Sequence, residues 1–77
     1  MSEVTAAEWL DRLARIADRW AFDGPYDPST PTERAMWEEH GPARRDEARE
    51  KVRAILRMMS DVPFSALFRM IHEAKQS

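Results

Sequence analysis

Apolar side chains recur at three- and four-residue intervals along most of the 77 residues, and no stretch shows the every-other-residue alternation of a strand. Thr5-Ala6-Ala7-Glu8 has the spacing of a capping box, with Val4 and Trp9 placed as a hydrophobic staple around it. Trp9, Leu10, Leu13, Ile16, Ala17 and Trp20 then share one helical face, while Asp11, Arg12, Arg15, Asp18 and Arg19 occupy the other. The pattern predicts a first helix over residues 6–22, its apolar face forming core and its end set by Gly24-Pro25.

Residues 23–29 are too rich in turn formers for regular structure, which makes them the candidate functional loop. Thr30-Pro31-Thr32-Glu33 repeats the capping logic, with proline at the first helical position, and predicts a short helix over 31–40 that stops before Gly41-Pro42. Ala48, Val52, Ile55, Leu56 and Met59 define a third helix over 43–60. Beyond Pro63, residues Phe64, Leu67, Phe68 and Ile71 form the stripe of a fourth, over 63–75. Ala66 and Met70 widen that stripe past half the circumference, so this helix is expected to sit centrally or to face a partner. The predicted fold is all-α, a single domain built as a compact bundle of three longer helices and one short one.

Composition narrows the functional classes. With no cysteine, the chain has no thiolate for a disulfide, a zinc or iron–sulfur site, or nucleophilic catalysis, and a reducing cytoplasm is the natural setting. No apolar run suits a membrane span, and the first residues lack the pattern of a signal peptide. The two glycines build no phosphate loop. Neither His40 nor His72 has a metal ligand three or four residues before it, and the adjacent Glu38 and Glu39 diverge by about 100° on a helix. Ser29, Thr30 and Thr32 read as loop and cap residues. The expectation is a protein that is not an enzyme, with no cofactor, no metal and no evident small-molecule substrate.

Charge is the uneven quantity. Residues 1–42 carry nine acids and four bases, whereas residues 43–77 carry eight bases and five acids, within a formal net charge of −2. Arg45, Arg49, Arg53 and Arg57 recur every four residues and make a guanidinium ridge along the third helix. Such a ridge suits an acidic protein surface or a nucleic-acid backbone, and it equally suits pairing with acids inside the fold. Of the three tryptophans, Trp9 and Trp20 belong to the predicted core face. Trp37 lies where only Ala35 and Met36 accompany it, so its buried side is undecided, as is that of Tyr26 in the proline-rich loop.

The turn at residues 60–63 resembles a helix-turn-helix connection in length, but Phe64, Ala66, Leu67 and Phe68 stand where a DNA-reading helix presents polar side chains. The expected function is therefore a small cytoplasmic protein-binding module, an accessory regulator or inhibitor of the phage or mobile-element kind, docking on a larger complex. Tyr26, Trp37, Arg45, Arg49, Arg53 and Arg57 are the candidate partner-binding residues. Phe64, Leu67, Phe68, Met70 and Ile71 are the candidates for a homodimer contact, and nucleic-acid binding along the arginine ridge is the alternative.

Overall fold

A computed structural model describes residues 3–77. Its described residues form four helices and no strand: α1 (Ala6–Ala17), α2 (Arg19–Asp23), α3 (Pro31–Met59) and α4 (Phe64–Gln76). The fold is thus all-α, with three longer helices and one short one, but the short one is α2 and not the predicted helix at 31–40. None of the four is long and apolar enough to cross a membrane.

The N-terminal cap forms as expected, the Glu8 amide donating to the Thr5 hydroxyl oxygen at 3.1 Å. The predicted helix over 6–22 is split at Asp18. There the backbone leaves helical angles (φ −148°, ψ 88°) and the carboxylate accepts the Ala21 amide, capping α2 anew. An aspartate competes well for this role because its short side chain reaches the free N–H groups of a helix start. Gly24, at φ 97°, closes α2 with its amide on the Trp20 carbonyl, in a left-handed conformation that glycine adopts without a Cβ clash.

The larger departure is at Gly41-Pro42, where a break was expected and α3 instead runs through for 29 residues. Proline disfavours a helical residue before it mainly by striking that residue's Cβ, and glycine has none. The missing Pro42 N–H deprives only the Glu38 carbonyl of its intrahelical donor, and both residues lie on an exposed face where water can replace it. Gly41 itself is buried against the rest of the fold. The predicted helices 31–40 and 43–60 are therefore one, about 43 Å long at 1.5 Å per residue.

α1 lies antiparallel to α3, as the ion pairs Asp18 with Arg44 and Asp11 with Arg49 show. The core between them holds Ala14, Ala48 and Val52, flanked by Leu10 and Phe22, with Ala21 buried on α2. Small residues let the helix backbones approach closely, but they bury little apolar area. The predicted apolar face of α1 is only partly used: Leu10 packs inward, whereas Trp9, Leu13 and Ile16 are exposed, Ile16 by 77%. Nor does α4 sit centrally. It begins one residue later than the predicted 63–75, none of its residues is buried, and it extends from the α1–α3 body. The radius of gyration is accordingly 15.9 Å, against about 11.5 Å for a compact domain of this length.

Candidate partner-binding surfaces

The loop between α2 and α3 is ordered by one carboxylate. Asp27 accepts from the Ser29 amide at 3.1 Å, from the Ser29 hydroxyl and from the Thr30 hydroxyl at 2.9 Å, while its own amide donates to Glu33 at 2.8 Å. These bonds, led by the Ser29 hydroxyl, hold the Asp27 carboxyl below its ordinary pKa. The expected capping box at Thr30 and Glu33 is thereby redirected. Thr30 makes no side-chain cap bond to α3, and both of its predicted members turn towards Asp27. Arg34 closes the loop from the other side by donating to the Pro28 carbonyl at 2.7 Å.

On this pinned loop Tyr26 stands 90% exposed. It borders a groove of about 590 Å³ between α2 and α3, floored by Trp20 and Met36 and edged by Glu33, His40 and Arg44. Its walls are mostly apolar and its rim carries both signs of charge.

Trp37 is differently placed. Its indole Nε1 donates to the Trp20 carbonyl at 2.8 Å, and one turn beyond Gly41 the Arg45 guanidinium donates to the Ala21 carbonyl at 2.9 Å. Two carbonyls of α2 are thus met from α3, the Trp20 carbonyl in addition to the Gly24 amide it already accepts. Arg45 also lies over the Trp37 ring at 5.3 Å. A Cβ at Gly41 would stand 3.0 Å from the Arg45 Nη1 and 3.7 Å from the indole, so the glycine makes room for both side chains to cross it. Trp37, Gly41 and Arg45 are spaced by four residues, a signal present in the sequence that composition and motif matching did not reveal.

The arginine ridge is largely engaged within the fold. Arg49 holds Asp11 of α1 at 2.7 Å and Asp46 of its own helix at 2.9 Å, and this contact pushes the Asp11 carboxyl below its usual range. Arg53 pairs with Glu50. Arg57, at the ridge's end, has no ion pair among the described residues. Arg44, outside the predicted ridge, is engaged as well: it makes two bonds to Asp18 at 2.8 and 2.9 Å, with its guanidinium 4.4 Å from the Trp20 ring centre. The acidic first half and basic second half of the chain therefore meet each other, through Asp18 with Arg44 and Asp11 with Arg49.

A second surface lies at the other end of the molecule. Phe64, Phe68, Met70 and Ile71 of α4 are all exposed, Phe64 by 76%, and Leu67 is half-buried. Phe64 and Phe68 stack on one another at 6.1 Å. Ile55, Leu56 and Met58 on the last turns of α3 are exposed as well. Among the described residues no three histidine, aspartate or glutamate side chains converge as a metal site would require. No family model matches the chain, and it shows no significant similarity to curated proteins or solved structures.

Proposed function

We propose that this chain is a non-catalytic protein-binding module, a small accessory regulator or inhibitor that docks on a larger complex with Tyr26 as its leading anchor. The observation that carries the reading is Tyr26 itself, an aromatic ring 90% exposed on a loop that Asp27 holds rigid, beside an apolar groove. Exposed tyrosine contributes nothing to the core, yet it offers large contact area at little entropic cost once its loop is ordered. The mixed rim of Glu33, His40 and Arg44 suits a polypeptide segment that inserts an apolar side chain and hydrogen-bonds at the edge.

Nucleic-acid binding through Arg45, Arg49, Arg53 and Arg57 draws less support, because three of these guanidiniums are already held by a carbonyl or a carboxylate. A photo-cross-linking residue in place of Tyr26, used in a lysate of the native host and read by mass spectrometry, tests the docking reading. One stoichiometric protein is expected at the cross-link, lost from affinity capture when Tyr26→Ala and Met36→Ala are combined in a chain of unchanged helicity. Capture that persists at full yield in the double variant, or no stoichiometric adduct, overturns it.

A further inference from the structure

The outer end of the molecule has apolar surface that the chain's own helices leave bare. Because α1 runs antiparallel to α3 and begins at Ala6, its Leu10 reaches the level of Val52 and little of α1 remains to cover the last turns of α3. Ile55, Leu56 and Met59 continue the same helical face that Ala48 and Val52 bury, yet Ile55 and Leu56 are exposed. After a tight turn, in which the Ser60 hydroxyl donates to the Arg57 carbonyl, α4 presents a second exposed apolar face of its own, with Phe64, Phe68, Met70 and Ile71. Its apolar arc spans roughly 200° at 100° per residue, wider than the seam of a helix pair and suited to a helix with two neighbours.

The area says how much is missing. The chain exposes 6520 Å², whereas a folded monomer of 9.0 kDa exposes about 4,900 Å². The surplus is about 1,600 Å² over the whole chain, the exposed Trp9, Leu13 and Ile16 of α1 included, so a pair buries at most about 3,200 Å² at this end, a ceiling within the range of obligate homodimers. We infer that the C-terminal turns of α3 together with α4, which barely touches its own α3, are a dimerisation element, and that a second copy of this chain covers them by packing its own α3 end and α4 against them. A two-fold axis makes one such patch complementary to itself, so residues of α3 in one copy face residues of α4 in the other and the converse. The core of the single chain, three alanines and a valine, is correspondingly slight. This inference is independent of the Tyr26 groove, which lies on another part of the molecule.

Sedimentation equilibrium and thermal melts of the full chain decide it, since a dimer's mass and melting temperature depend on concentration. Between about 1 and about 100 µM the expected species has twice the 9.0 kDa chain mass, and its melting temperature rises with concentration. Combining Phe68→Glu with Ile71→Glu is expected to halve the mass, or to lower helicity in a way that added protein restores. Tyr26→Ala, which weakens docking in the reading above, leaves the mass doubled. A 9.0 kDa species at every concentration, with full helicity and a constant melting temperature, overturns the inference, as does a double variant that keeps the doubled mass.

Discussion

The two halves of α3 organise their surroundings by different means. Up to Val52 the helix is met by α1 and α2 through directed contacts: Trp37 and Arg45 on the carbonyls of α2, Arg44 on Asp18, Arg49 on Asp11. The aromatic rings there carry guanidiniums on their faces, Arg44 over Trp20 and Arg49 over Phe22. Beyond Val52 the same helix and α4 present large aliphatic and aromatic side chains with no such ties. Hydrogen bonds and ion pairs fix one geometry, whereas apolar surface is non-directional and accepts any well-fitted cover. The first half is therefore tied together within one chain, although Trp9, Leu13 and Ile16 of α1 stay exposed there, whereas the second has no such ties.

Overfilling the tight end should give the largest effect. Ala14 is wholly buried where α1 meets α3, so Ala14→Leu forces the helices apart and is expected to cost about 1–3 kcal/mol in urea unfolding. In a domain of this size that is a large share of the total. Trp37→Phe removes the N–H that reaches the Trp20 carbonyl, which Gly24 still serves, and replaces the two-ring indole under Arg45 by a single ring. A loss of about 1 kcal/mol is expected at an unchanged denaturant slope.

Acid should act on the same half. The Arg49 contact holds Asp11, and the Ser29 and Thr30 hydroxyls hold Asp27, below the ordinary value of 3.8. A carboxylate whose folded pKa is depressed contributes fully above its unfolded pKa and loses that contribution as pH falls through the folded one. Stability is thus expected to decline below about pH 3.8, and Asp11→Asn should flatten part of that decline in acid titrations followed by circular dichroism. The smallest effect belongs to the other half. In the dissociated chain carrying Phe68→Glu and Ile71→Glu, Phe64→Ser should change stability by less than about 0.5 kcal/mol, because Phe64 is largely exposed and its stacking partner Phe68 is gone. A cost well above this would show that α4 packs on its own chain.

Much of the local structure was legible along the chain, including the Thr5 cap, the end of α2 at Gly24 and the extent of α4. The wide apolar stripe of α4 was also legible, whereas its position outside the core was not. Among the candidate residues, Tyr26 stands free for contact, while Trp37, Arg45 and Arg49 hold helices together. Residue type alone cannot separate these cases, since an indole or a guanidinium serves a carbonyl inside the fold as readily as a partner outside it.

Periodicity and turn chemistry determined that the chain is helical, where α1, α3 and α4 start to within a residue, and that one of them has a wide apolar stripe. Those are properties of neighbours three and four residues apart, and they are written in the order of the residues. Only the tertiary structure decided that α3 continues through Gly41-Pro42, that α1 breaks at Asp18 and that the arginine ridge is largely engaged. Each of these depends on a partner about 15 to 40 positions away: Trp20 for Trp37, Arg44 for Asp18, Asp11 for Arg49. Contacts at that range are set by how the helices pack, and local propensity yields when they satisfy groups it would leave unpaired.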